Sequence, residues 1–156
     1  MSKSLTVVEA KKRMEHYCAY QERCHKEVTQ KLRSIGVSWM IIPEIISHLI
    51  QENYLNETRF AHHFARGKFR IKKWGKLRIV RELKQRDISE WNIQNALKEI
   101  PDEDYQKTFL AVITKFWEAN KKLPIAQRKA KVIAALKYRG WELDKLSGVF
   151  ERFSEK

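Results

Sequence analysis

The chain has 156 residues, with 32 Lys+Arg against 19 Asp+Glu and a formal charge of +13 at pH 7. Its length supports a core without disulfide staples, and 43% hydrophobic residues with only five Gly and three Pro exclude a disordered chain or a turn-rich β architecture. Two cysteines, Cys18 and Cys24, make no disulfide framework, the opening MSKSLTVVEAKKR lacks a signal-peptide apolar stretch, and Trp39 to Ile42 falls far short of the ~20 residues of a bilayer span, so a cytoplasmic chain with no membrane association is expected.

The first predicted helix covers residues 6–21, with Val7, Val8, Met14 and Cys18 as apolar positions. A second carries Val28 and Leu32 on one face and ends in a turn at Gly36. The third is capped by Ser38, or begins or kinks at Pro43. The fourth, 57–71, follows Asn56 as N-cap, with Glu57 in its first turn and Phe60, Ala61 and Phe64 on its apolar side. The fifth carries Ile79 and Leu83 and ends at Asp87, and Ser89 caps the sixth. Pro101 and the acids Asp102, Glu103 and Asp104 open the seventh, 102–119, with Tyr105, Phe109, Val112 and Phe116. Pro124 stands at N1 of the eighth, where a missing N–H costs nothing, and that helix ends at Gly140. Leu146 and Phe150 belong to a ninth. No alternating stretch is long enough for a buried strand.

These helices repeat. Val28, Leu32, Val37, Ile42 and Ile46 align with Ile79, Leu83, Ile88, Ile93 and Leu97, and with Val132, Leu136, Trp141, Leu146 and Phe150. A basic residue follows the Leu each time (Arg33, Lys84, Lys137), suiting a helix C-terminus. Gly36, Asp87 and Gly140 then take the turn, where positive φ suits Gly and is tolerated by Asp. The reading is all-α, three tandem three-helix repeats over 1–55, 56–100 and 101–156. Repeats that touch mainly their neighbours predict an elongated, curved, right-handed solenoid-like array.

The charge is focused. Residues 57–86 carry 11 basic and 2 acidic groups, a net +9, and residues 121–139 carry 7 basic and none acidic. Such runs draw a polyanionic partner, whether phosphate backbone or acidic protein surface. The first offers Arg66, Lys68, Arg70, Lys72, Lys73, Lys76, Arg78 and Arg81, interleaved with Phe69 and Trp74, which serve either as stacking platforms for bases or, more commonly, as core and turn anchors. Six phosphate contacts would give a single-strand salt slope of about −4. Glu82 has Arg78 and Arg86 at helical pairing distance. The second run offers Lys121, Lys122, Arg128 and Lys131, with Lys129, Lys137 and Arg139. Arg128 and Lys131 share a face opposite Val132 and Leu136.

His16, Cys18, Cys24 and His25 lack the spacing of a zinc site. His62 and His63 are adjacent on a helix and point different ways. No glycine-rich phosphate loop, nucleophile elbow or acid pair at a recognisable spacing appears, so neither enzymatic activity nor a cofactor is expected.

The stretch Tyr54-Leu55-Asn56-Glu57-Thr58-Arg59-Phe60-Ala61, followed by Gly75-Lys-Leu-Arg78-Ile79-Val-Arg-Glu82-Leu83, resembles the RecX family of bacterial RecA modulators. Asn56 stands where that family usually has aspartate, and Asp87 where it usually has glycine. The resemblance implies three tandem three-helix repeats and a regulator, expected as a monomer, that binds the RecA filament on single-stranded DNA. It further implies suppression of RecA's ATPase, strand-exchange and coprotease activities in DNA repair and the SOS response. The two basic runs alone fit a second reading, a DNA- or RNA-binding module without a recombinase partner.

Overall fold

The structure, a computed structural model, describes residues 5–154. The outermost residues of the first and third repeats, 1–4 and 155–156, lie outside the described residues. Among the described residues the chain is all helix: α1 Val7–Tyr20, α2 His25–Ser34, α3 Ile42–Gln51, α4 Glu57–Arg70, α5 Lys76–Gln85, α6 Glu90–Leu97, α7 Asp102–Ala119, α8 Ile125–Tyr138 and α9 Leu146–Ser154. No helix is long and apolar enough to cross a membrane.

The helix starts follow capping chemistry. The side chains of Thr6, Asn56 and Ser89 accept from the backbone N–H of Glu9, Arg59 and Asn92, satisfying donors that a helix cannot satisfy itself. The third helix begins at Ile42 with Pro43 in its first turn, and Ser38 sits instead in the preceding turn, where its hydroxyl accepts from Met40 N–H. Pro124 is one residue earlier than expected. It is the N-cap of α8, its extended ψ of 151° setting the entry, and Ile125 takes N1.

The three repeat turns are superimposable in their hydrogen bonding. Gly36, Asp87 and Gly140 have φ of 83°, 58° and 82°. The next residue's N–H returns to the core leucine in each, Val37 to Leu32, Ile88 to Leu83 and Trp141 to Leu136, at 3.0 to 3.1 Å. The turn residue's own N–H reaches the carbonyl of Arg33, Lys84 or Lys137. This is a Schellman closure repeated three times, and its 6→1 bond explains why an apolar residue always follows the turn: it is folded back onto the leucine.

Val28, Ile79 and Val132, and Leu32, Leu83 and Leu136, are all fully buried. The most extensive helix contacts, α1 with α3, α4 with α6 and α7 with α8, fall within triplets. The apolar cores divide unevenly. Ala10, Met14, Cys18, Val28, Leu32, Ile42, Ile45, Leu49 and Leu55 form the core of the first triplet, whereas a single continuous core runs through the second and third. The accessible surface of 10,205 Å² exceeds the about 8,300 Å² expected of a compact monomer of this mass, as units stacked in a row require.

Candidate functional site

The α4–α5 turn and the α8–α9 turn, which carry parts of the two basic runs, are packed against each other. Helix α5 has glycine as N-cap and no capping side chain, so its first N–H groups need partners from elsewhere. They find them in the third triplet. Gly75 N–H donates to the Arg139 carbonyl at 2.7 Å, Leu77 N–H to the Gly140 carbonyl at 3.0 Å, and Lys76 N–H to the Tyr105 hydroxyl at 2.9 Å. The positive end of α5 thereby meets the negative end of α8, a favourable dipole arrangement. Trp141 Nε1 adds a bond to the Lys73 carbonyl at 2.9 Å, and its ring stacks on Tyr105. The Tyr105 hydroxyl donates in turn to Glu142 at 2.8 Å, and burial raises its pKa above the usual phenol range.

This joint occupies several of the candidate cations. The Arg78 guanidinium lies over the rings of Trp74 and Tyr138, at 4.1 and 4.8 Å, and donates to the Tyr138 carbonyl at 3.0 Å. It fastens the second triplet to the third. Lys68 lies over Phe64 and Trp74, and Lys76 lies over Tyr105 at 4.5 Å. Away from the joint, within the third triplet, Arg128 is also occupied: it donates to the Trp117 carbonyl at 2.8 Å and stacks on that ring. Phe69 is buried against Tyr105, so it is a core anchor and not a platform for bases. Trp74 is half-buried, with its ring taken up by Lys68, Arg78 and Phe64. Of the two pairings expected of Glu82, the one with Arg86 forms, at 3.0 Å.

The remaining candidates, Arg66, Arg70, Lys72, Lys73, Arg81, Lys121, Lys122 and Lys131, are exposed, and none has a carboxylate within 4.0 Å among the described residues. Arg66 and Arg70 are one helical turn apart on α4, and Lys72 and Lys73 continue from them toward the joint. Lys73 itself adopts φ of 59°, a conformation held by the Trp141 bond to its carbonyl. The two runs therefore meet at one end, where Lys73 neighbours the 137–141 turn. Lys121 and Lys122 lie at the opposite end of α8, a helix of 14 residues and so roughly 20 Å long. Tyr138, exposed beside Arg78, belongs to this face too. Its place between Lys137 and Arg139 at the C-terminal end of α8 is the signal in the sequence that points to it.

The joint between the first and second triplets is built differently. Cys24 occupies the place in the repeat that Gly75 occupies in the next, and its N–H is satisfied locally by Glu27 at 3.1 Å. Side chains make the crossing: Lys26 Nζ donates to the Gln85 carbonyl at 2.6 Å, Arg59 pairs with Glu22 at 2.6 Å, and His25 lies 3.3 Å from Glu57. Burial pushes the Glu57 carboxyl up to about 7, with Asp87 and Glu27 adding to the shift, and burial lowers the pKa of His25. Desolvation thus outweighs attraction in this pair, and Glu57 Oε2 is buried with no hydrogen-bond partner. Burial also raises the thiols of Cys18 and Cys24, to about 11 and about 12, so both are protonated core groups.

Residues 56–97 match the family model described as RecX, second three-helix domain. A regulatory protein RecX of Lactobacillus gasseri is 31% identical over 136 residues, covering 87% of this chain and 50% of that protein. One from Bacillus thuringiensis is 27% identical over 140 residues, covering 90% and 52%. The chain spans about half the length of the curated relatives it matches. Among solved structures, a crystal structure of regulatory protein RecX superposes with a TM-score of 0.81 at 23% identity, over 96% of this chain and 73% of that one. RecX from Lactobacillus salivarius superposes with a TM-score of 0.78 at 21% identity, over 96% and 97%. These two likenesses bear out the all-α repeat architecture, and with the matched domain and the named relatives they lead to one conclusion: the chain belongs to the RecX family.

Proposed function

We propose that this protein is a cytoplasmic, monomeric regulator that binds the RecA filament on single-stranded DNA and restrains its ATPase, strand-exchange and coprotease activities, within DNA repair and the SOS response. It acts by binding and catalyses no reaction. One observation carries the reading: a set of exposed cations without acid partners among the described residues, running from α4 across the joint between the second and third triplets, in a chain of the RecX family. Cations of this kind suit the phosphates of a nucleoprotein filament or the acidic surface of its protomers. A row of helical units gives the length to touch successive protomers. A joint bonded backbone to backbone resists the change in protomer packing that hydrolysis needs.

The test is the ATPase of the cognate RecA on single-stranded DNA, measured with low micromolar protein at two salt concentrations. Inhibition that weakens with salt is expected, and an unchanged ATPase overturns the proposal. Tight binding to bare DNA at physiological salt, with the filament bound no better, replaces it with the reading of a nucleic-acid-binding module.

A further inference from the structure

Among the described residues, part of one side of α4 borders a surface groove. Phe60, Phe64, Gly67 and Ile71 fall at i, i+4, i+7 and i+11 and line a groove of about 370 Å³. Its opposite wall comes from the first triplet and includes Glu22 and Glu27. Phe60 and Phe64 are buried beneath the floor, while Ile71, at 78% exposure, stands at the rim.

Gly67 calls for an explanation. A glycine inside a helix costs about 1 kcal/mol relative to alanine. Gly36 and Gly140 are needed for positive φ, and Gly75 for close approach of another backbone. Gly67 meets neither need: it is helical, and a Cβ built on it would touch nothing within 4 Å.

The charges on the groove select what fits. Glu22 is held by Arg59, Glu27 by the Cys24 N–H, and Arg86 by Glu82, whereas Lys68 and Lys72 have no carboxylate within 4.0 Å among the described residues. A phosphodiester strand carries charge at every step, so lying here it would meet the Glu22 and Glu27 carboxylates. A polypeptide can set its acids beside the lysines and turn its N–H groups toward the glutamates.

We propose that this groove docks an acidic segment of a partner protein, with one large apolar side chain seated over Gly67 beside Ile71 and a carboxylate on Lys72. The space suffices for a leucine or tryptophan side chain. The inference goes beyond the filament reading and does not require it, because any protein with such a segment would serve.

The experiment uses the whole chain and fluorescence anisotropy. Its probes are a labelled peptide of aspartate, glutamate and leucine, the same peptide with lysine for each acid, and oligo(dT). Saturable binding of the acidic peptide is expected, with the lysine peptide much weaker. Gly67→Met fills the open space with a better helix former, so circular dichroism stays unchanged while affinity for the acidic peptide falls at least about tenfold. Lys72→Glu weakens the same peptide. The proposal is overturned if the acidic peptide does not bind saturably, if Gly67→Met binds it as the parent does, or if oligo(dT) alone loses affinity in that variant. ATPase is not read, so none of these results bears on the filament proposal.

Discussion

Gly75 and Gly140 touch backbone to backbone: a side-chain carbon on Gly75 would fall against the Gly140 carbonyl and 2.7 Å from Trp141 Cα. The same carbon on Gly140 would fall against Arg78. Neither neighbour is the free end of a flexible side chain, so Gly75→Ala and Gly140→Ala each force the second and third triplets apart. A loss of about 2–4 kcal/mol is expected in urea unfolding. Gly36→Ala, with the same φ but open space around it, serves as the control and loses only about 1 kcal/mol.

Asp87 holds the position that glycine holds in the other two turns, at φ of 58°. Its pair with Lys26 is long, 3.8 Å, and Asp87 is largely exposed, so that contact adds little. Asp87→Gly removes backbone strain and a charge that opposes ionisation of Glu57. A gain of about 0.5 kcal/mol in urea unfolding is expected, the relief of strain being partly offset by greater freedom of the unfolded chain.

The raised pKa of Glu57 makes stability pH-dependent with a definite sign. Below the ordinary carboxylate range, Glu57 is protonated in both folded and unfolded chains. Between that range and about 7 the folded chain keeps a proton that the unfolded chain has lost, so the stability from this group declines as pH rises and is gone above about 7. His25 works in the opposite direction, its lowered pKa costing stability as pH falls through the ordinary histidine range. Glu57→Gln isolates the first effect. Thermal or urea unfolding should show it level with the parent near pH 4 and more stable near pH 8, by on the order of 1–2 kcal/mol.

The basic residues separate by role. Arg78→Lys keeps the charge and loses the planar group that stacks on Trp74 and Tyr138 and bonds the Tyr138 carbonyl. A stability loss of about 1–2 kcal/mol is expected. Arg66→Ala, Arg70→Ala and Lys72→Ala together should change stability by less than about 0.5 kcal/mol each while weakening filament binding. Where all three meet phosphates, the slope of log affinity against log salt becomes shallower by about 2. Unchanged affinity would mean that the filament is met by another face.

The local chemistry of this fold was readable residue by residue. Asn56 and Ser89 cap as their side chains allow, and Gly36, Asp87 and Gly140 turn as their spacing after Leu32, Leu83 and Leu136 demands. Short-range rules decide these features, so a single sequence suffices. The site was less readable, because its residues are distributed by contacts some 60 residues apart. Nothing near Arg78 in the chain says that Tyr138 will take its guanidinium, and nothing near Gly75 says that Gly140 will sit on it. The groove over Gly67 was missed for a related reason: a helical glycine reads as a weak point until the space around it is known.

The joint at Gly75 also changes what the backbone amides report. At most helix N-termini the first N–H groups face water and exchange their hydrogens readily. Those of Gly75 and Leu77 end on carbonyls of the third triplet instead. Their exchange is therefore tied to separation of the second and third triplets, not to fraying of α5. Two amides that would ordinarily be silent about tertiary structure become a direct clock for the coming apart of the array.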